Sequence, residues 1–423
     1  MPKIAFSRKT RISLDPADRC RHRCPPPATI AKPSARIRRG GAGRSRSSTI
    51  SSPLGRTRFA AVCRSWCAAA LAVPPLPALP WLLLSPRDGS GTEVLYCPDD
   101  CAVVRLRVPR EDAGRWIIGG HDGGWVAFHM PGLVRTINLF SGAEVALSTI
   151  ICPSRHHALG HLVFIFKVAF SAPPNSPQCI LAAVTYNCGI ALCRVGSPNN
   201  GWTVQGCPNN GGFVDITFCN GELYGLDSER KIVKFEIGVD DDGAPVVTAE
   251  HRLVIRRIDR KIRTDNVNAS YIFDLKGKLA MALKTRWLPD IQPFFKVFQL
   301  VDSTGKQQAR YKHKWLEVTR LGDQALFLGK SFSKAVHVPA NICGSVERNH
   351  IYYSQYCWLG ENTIIASDKV VLKISNNIRG MICYKKDDSK NNTSDNDVNR
   401  IMSVGYFVQG CLRGGMWILP PDI

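Results

Sequence analysis

From about residue 95 onward, apolar positions recur at every second residue in short runs, and Gly, Asn and Asp punctuate the runs. That period marks strands with one face buried. The clearest unit is residues 214–227. Val214, Ile216 and Phe218 alternate, Asn220-Gly221 supplies the positive φ angles of a two-residue hairpin, and Leu223 opens the returning strand. A third strand follows, with Val233, Phe235 and Ile237 facing one way. The same grammar predicts hairpins over 270–283, turning at Lys276-Gly277, over 315–328, turning at Gly322-Asp323, and over 346–353, turning at Arg348-Asn349. Residues 123–148 and 180–204 read as consecutive hairpins.

Gly221 and Gly277 lie 56 residues apart, and Gly277 and Gly322 lie 45 apart. About 40–50 residues per four-stranded sheet is the period of a propeller blade. The spacing therefore predicts an all-β ring of irregular blades over residues 95–423, with the number of blades left open. Helical stripes are sparse there. The polar run KKDDSKNNTSDNDVN (385–399) predicts a disordered insertion between two strands of the last blade, and 401–419 returns to strand character.

Ahead of this region the pattern changes. In GRTRFAAVCRSWCAAAL (56–72), Phe59, Val62, Cys63 and Trp66 fall at i, i+3, i+4 and i+7, the stripe of a short helix. So narrow a stripe cannot hold a helix by itself and needs a partner surface. Pro74, Pro75, Pro77 and Pro80 end it and break the longest apolar stretch, 66–84, which argues against a membrane span. Leu79-Pro80-Trp81-Leu82-Leu83-Leu84 is an extended apolar segment expected to pack on the next domain.

Residues 1–55 are rich in Arg, Pro, Ser and Gly without periodicity, a composition of disorder. Three readings stay open: an organellar transit peptide, a nuclear-import or nucleic-acid patch around Arg36, Arg38 and Arg39, or an extension with no role. Charge sharpens this division. Of the net +21, residues 1–70 carry +14, with 16 Lys/Arg against 2 Asp/Glu, and the other 353 residues carry +7. The basic character belongs to the tail, which argues against nucleic acid as a partner of the folded part. No apolar h-region follows Met1, so the 16 cysteines are expected as reduced thiols, mostly in the core, of a cytoplasmic or nuclear protein. An organelle becomes the location if the tail is a transit peptide.

Catalytic patterns are missing. There is no Gly-x-Ser-x-Gly elbow, Walker loop, dinucleotide fingerprint or His-Glu-x-x-His, and HDGGW (121–125) reads as a tight β-turn. The C-x₃-C pairs at Cys20/Cys24, Cys63/Cys67 and Cys97/Cys101 and the cluster His156, His157 and His161 lack paired zinc knuckles, so no metal site is assigned. Asp240-Asp241-Asp242-Gly243 fails the calcium-loop pattern at its first and last positions and reads as a turn. Lys312, Lys314 and Trp315, like Arg286 and Trp287, pair charge with an aromatic ring, as blade packing does more often than base stacking. No cofactor is implied. Asp215, Asp227 and Asp274 are the carboxylates a propeller hydrolase would have to gather.

Several segments resemble one family. RFAAVCRSWCAAA (58–70), LPWLLL (79–84), LCRVGSPNNGWTV (192–204), DITFCNGELYGLD (215–227), LGDQALFLGKSFSKAV (321–336), NHIYYSQY (349–356) and MWILPP (416–421) are similar to plant F-box proteins with a KIB-type β-propeller, a domain often catalogued as of unknown function. The resemblance spans about residues 56–423. Beyond the basic tail at 1–55 that the composition marks, it implies a partial F-box helix and linker at 56–84 and a propeller of kelch-like blades at 95–423. It further implies a non-enzymatic substrate receptor of a Skp–cullin–F-box ubiquitin ligase, with an unidentified protein as substrate and adaptor contacts at Phe59, Val62, Cys63 and Trp66. The same four residues could instead pack a helix on the propeller. One departure counts against adaptor binding: residues 25–50 hold no counterpart of the Leu-Pro-x-Asp/Glu helix that opens an F-box. The alternatives are a propeller that has lost ligase coupling and a propeller hydrolase.

Overall fold

The computed structural model describes residues 64–72, 78–85, 92–98, 102–107, 116–130, 133–148, 151–152, 161–162, 164–185, 189–196, 201–205, 212–256, 267–285, 295–303, 311–340, 346–356, 370–372, 382–387, 401–409 and 415–421. The expected tail 1–55, Phe59, Val62, Cys63, Arg286, Trp287, His156 and His157 lie outside them. Among the described residues the protein is a β-propeller preceded by one helix, α1 (Arg64–Ala72).

Six sheets of four to six strands are present, besides a two-stranded pair, Ile151–Cys152 with His161–Leu162. The second sheet is the simplest meander: Trp116–His121, Trp125–Met130, Leu133–Asn138 and Glu144–Ser148, paired antiparallel in chain order. The third, fourth and fifth repeat the pattern from the opening strands Ile165–Phe170, Phe213–Cys219 and Val267–Leu275, and the fifth adds Ile255–Arg256 in parallel beside His313–Val318. These opening strands start 49, 48 and 54 residues apart, near the expected period. They also approach one another across neighbouring sheets, so they form the inner wall of the ring.

Each gap between sheets is filled by its own core. Ile118, Val168 and Leu181 lie between the second and third sheets, and Val184, Ile216 and Phe235 between the third and fourth. Leu226, Ile272 and Met281 lie between the fourth and fifth, and Phe273, Leu326 and Ile351 between the fifth and sixth. The largest core joins the sixth, first and second sheets and completes the circuit. Alternation produces this arrangement: a strand with apolar residues on both faces can bury each against a different neighbouring sheet.

The ring closes through its two ends of sequence. Trp81–Leu84 pairs antiparallel with both Thr92–Cys97 and Met416–Ile418. Trp81, Leu82, Leu83 and Leu84 are all buried. The apolar run expected as a linker is therefore a strand of the first sheet, which begins before residue 95. Four consecutive apolar residues could not show this by periodicity, because both faces are covered.

The turns match expectation where strands pair locally. Asn220 and Gly221 have φ of 50° and 76°, and Lys276 and Gly277 have 56° and 74°. The sixth sheet departs from the pattern. His313–Val318 closes the fifth sheet while Gln324–Leu328 belongs to the sixth, so the hairpin expected over 315–328 is a crossing between sheets. The one expected over 346–353 is a single strand, His350–Tyr356, which runs parallel to both Gln324–Leu328 and Met402–Gln409. Gly322 and Asn349, at φ of 67° and 59°, do turn the chain, but a turn residue does not say which strands flank it in space. The strand Ile382–Asp387 pairs with Met402–Gln409 and takes in the first residues of the insertion expected at 385–399; residues 388–399 lie outside the described residues.

The tight turn at HDGGW is also present. Gly124 has φ of 86°, its N–H donates to Leu419 O at 2.7 Å, and a Cβ there would overlap the Phe140 ring. Gly124→Ala combines backbone strain with a clash and is expected to cost about 1–3 kcal/mol in a urea unfolding experiment. A change below about 0.5 kcal/mol would mean that the turn relaxes freely.

Candidate functional site

The inner strands all finish at one end of the ring, where the hairpins 122–124, 171–179, 220–221 and 276–277 gather. Side chains stitch these tips across sheets. Asn220 Nδ2 donates to Gly277 O at 2.7 Å, tying the fourth sheet to the fifth. Lys276 Nζ lies 2.7 Å from Asp323 Oδ1, tying the fifth to the sixth, and His337 Nδ1, within the sixth, lies 2.9 Å from Asp323 Oδ2. Lys334 pairs with Asp122 and ties the sixth to the second. The Lys276 ammonium holds the Asp323 carboxyl down at about 2. These pairs are partly exposed and add little stability, but they fix the tips relative to one another. His121, against the Phe170 ring at 6.0 Å, has its pKa lowered by burial.

Below this end a buried ion pair spans three sheets. Lys167 of the third sheet donates to Asp215 of the fourth, with side chains 8% and 4% exposed. The Asp215 carboxylate also accepts the N–H of Ile216 and, on the fifth sheet, of Ile272, both at 2.8 Å. Among the described residues, each of these three partners is a structural one.

The opposite end, where the inner strands begin, carries an aromatic ledge. Phe164 meets Trp116 edge-on at 4.4 Å, His129 at 5.3 Å and Phe166 at 5.4 Å. A register shift between Ile165 and Lys167 places Phe166 outside the strict alternation, and it is 42% exposed. The bulge lets Ile165 enter the core and Lys167 reach Asp215 while Phe166 stays at the surface.

The residues singled out by sequence resolve differently. On α1, Trp66 is 45% exposed, and Ser65, Ala68, Ala69 and Ala72 are exposed too. Of the four adaptor candidates the structure places only Trp66. The three carboxylates do not converge. Asp215 holds the buried pair, and Asp227 Oδ1 accepts the N–H groups of Glu229 and Lys231 in a turn. Asp274 Oδ1 accepts the Gly277 N–H at 2.7 Å, and Cys219 Sγ donates to its other oxygen at 3.2 Å. Asp240 closes its own turn by accepting from Asp242 and Ala244 at 3.1 and 2.7 Å. Trp315 packs on the core between the fourth and fifth sheets. Cys97, Cys179, Cys193 and Cys219 are buried, and burial raises the last three thiols to about 11, 12 and 12. No group of three or more metal-ligating side chains occurs among the described residues, and no helix among them is long and apolar enough to cross a membrane.

Sequence reasoning missed the ledge. The signal was present in Phe164-Ile165-Phe166-Lys167, where two aromatics flank a core residue, but it reads equally as a buried strand.

The family comparison agrees with the fold. The family model described as the KIB1-4 beta-propeller matches residues 94–387. An F-box/kelch-repeat protein of Arabidopsis thaliana is 26% identical over 189 residues, covering 42% of this chain and 50% of the relative. The chain thus spans about half the length of that relative. Among solved structures, U3-55K matches with a TM-score of 0.26 at 10% identity, over 44% of this chain and 59% of the other. The dihydro-heme d1 dehydrogenase NirN in complex with DHE matches with a TM-score of 0.28 at 13% identity, over 59% and 57%.

Proposed function

The chain belongs to the KIB1-4 β-propeller family, and from that premise we propose that it is a substrate receptor of a Skp–cullin–F-box ubiquitin ligase. A protein-interaction role follows from the family and from the F-box/kelch relative. The receptor role goes further and rests on one observation. A helix whose described side chains are all exposed, Trp66 among them, stands just ahead of the ring's closing strand at Trp81. A nine-residue helix is too short to be stable in water without a partner. Trp66 keeps 45% of its surface exposed, and that surface supports the adaptor reading. In this function the ring holds a target and the transfer chemistry resides in other subunits. The buried, reduced thiols suit the cytoplasm or nucleus.

Co-purification of the full chain with a Skp-type adaptor tests this. Wild type is expected to retain the adaptor, and Trp66→Ala to retain at least about tenfold less, since a buried interface Trp commonly costs about 2 kcal/mol or more. The melting temperature should stay unchanged. Failure of the wild type to hold the adaptor would favour the second reading, a recognition propeller that has lost ligase coupling. That residues 25–50 carry no Leu-Pro-x-Asp/Glu pattern supports that reading.

A further inference from the structure

We infer that the first sheet is a clasp: the strand Met416–Ile418 leaves its slot beside Trp81–Leu84 while the other sheets stay folded, and the slot takes the same strand from a second copy of this chain. The inference stands apart from the receptor reading and does not rest on it.

Topology makes this sheet unlike the others. From the second sheet to the sixth, neighbours in the ring follow one another along the chain, so a direct connection holds each to the next. The first sheet is built from both ends of the ring instead, and between Trp81–Leu84 and Met416–Ile418 the chain runs through every other sheet. Here the circle is held by a ladder and by side-chain packing, with no direct connection along the chain. The ladder is short. Met416–Ile418 has three residues and Trp81–Leu84 has four, against nine in the inner strand Val267–Leu275. Among the described residues, Met416–Ile418 pairs with Trp81–Leu84 and with no other strand. Its release breaks one ladder and leaves Trp81–Leu84 paired with Thr92–Cys97. Opening of that kind exposes far less surface than unfolding the ring, so it belongs to the low end of local opening free energies.

The slot is shaped for one sequence. Met416, Trp417 and Ile418 are 4%, 0% and 1% exposed. A Cβ on Gly415 would lie 2.7 Å from Leu82 Cδ1 and 2.8 Å from Leu84 Cδ2, and a Cβ on Gly120 would lie 3.3 Å from Met416 Cε. Trp417 meets Phe327 and Tyr406 edge-on, Ser354 Oγ donates to Gly415 O, and Leu419 O accepts the Gly124 N–H. These fits select Gly-Met-Trp-Ile, and the same four residues on a second copy satisfy them by identity. Exchange of an identical element is a low-cost route to a dimer for that reason.

Opening also creates the demand for a replacement. Once Met416–Ile418 leaves, Trp81–Leu84 keeps an unpaired backbone edge among apolar side chains, and such an edge is a template for another strand. The tethered strand competes with an advantage equal to a roughly millimolar concentration. A strand from outside wins where the tethered one fits badly or the chain is concentrated. An exchanged pair holds two rings and two α1 helices in one particle.

The probe is a fluorescein-labelled peptide of residues 415–421, GMWILPP. Gly415→Val in the full chain overpacks the tethered strand against Leu82 and Leu84 and leaves the slot itself intact. This variant is expected to take up at least about tenfold more peptide than wild type at equal concentration. A peptide carrying Trp417→Asp should be taken up by neither. Cys179 and Cys193, buried in the core between the second and third sheets, should stay protected from iodoacetamide throughout, because the opening is confined to the first sheet. Equal uptake by wild type and Gly415→Val, uptake of the Trp417→Asp peptide, or alkylation of Cys179 and Cys193 in step with uptake would each overturn the clasp. Gly415→Ala replaces Gly415→Val if the latter lacks a native circular-dichroism spectrum. For the second copy, wild-type chains bearing two different affinity tags are warmed together below the melting temperature. Sequential capture is expected to recover mixed pairs, and excess peptide to suppress them. An absence of mixed pairs, or mixed pairs that the peptide leaves undiminished, would sink the exchange between copies.

Discussion

Replacing Trp417 by alanine is expected to lower the stability of the ring by about 3–5 kcal/mol, read as a shift of the urea midpoint without a change in slope. Trp417 is fully buried in the short strand Met416–Ile418. Its ring meets Phe327 edge-on at 5.0 Å and Tyr406 at 5.2 Å, both from the sixth sheet. Its strand pairs with Trp81–Leu84, so one side chain couples the last residues of the fold to the first and to the sheet beside them. A cavity here cannot collapse easily, because the walls are strands held by their own ladders. Trp417→Phe should lose well under half as much. It keeps most of the ring contact and removes an indole N–H that has no acceptor among the described residues. If Trp417→Ala unfolds within about 1 kcal/mol of wild type, the pairing of Met416–Ile418 with Trp81–Leu84 does not close the ring.

The second large effect is expected at Asp215. Asp215→Ala leaves the Lys167 ammonium buried without its carboxylate, and it also strips the acceptor from the Ile216 and Ile272 N–H groups. One-sided removal of a buried pair costs about 3–5 kcal/mol. The double variant Lys167→Met with Asp215→Leu removes both charges together and should recover part of that loss, because the desolvation penalty of the charges disappears while the Ile216 and Ile272 N–H groups stay without their acceptor. The comparison is a double-mutant cycle in urea. Equal losses for single and double variants would mean that the pair is solvated in solution and that the inner strands do not meet there. A single variant as stable as wild type would carry the same message.

Some of this was plain in the residues alone. Asn220-Gly221 and Lys276-Gly277 form the hairpins their chemistry requires, since both turns need positive φ at consecutive positions. The alternation of Val233, Phe235 and Ile237 places all three against the core between the third and fourth sheets. Asp240 to Gly243 makes the turn expected of it. These features are local, so neighbouring residues suffice to specify them.

What failed was long-range. Gly322 and Asn349 do turn the chain, yet the strands beside them pair with partners far off in sequence, and two of those pairings are parallel. Parallel neighbours need a crossover, and a turn signal does not encode one. The helix expected within 56–72 is present at Arg64–Ala72, whereas the exposure of Trp66 was not legible, because burial depends on what the rest of the chain leaves uncovered. The ledge was invisible for the same reason: Phe164 and Trp116 lie 48 residues apart and meet only when two sheets stand side by side.

By itself, then, the sequence determined the strand period, the hairpin turns and the concentration of positive charge near the start of the chain. These depend on side-chain alternation, on backbone φ and on composition, all of which act over a few residues. The closure of Trp81–Leu84 on Met416–Ile418, the joining of Lys167 to Asp215 and the exposure of Phe166 beside Phe164 were decided only by the tertiary structure. Each needs surfaces from distant segments to meet, and the free energy of that meeting comes from apolar area removed from water across sheets, a quantity that no window of neighbouring residues contains.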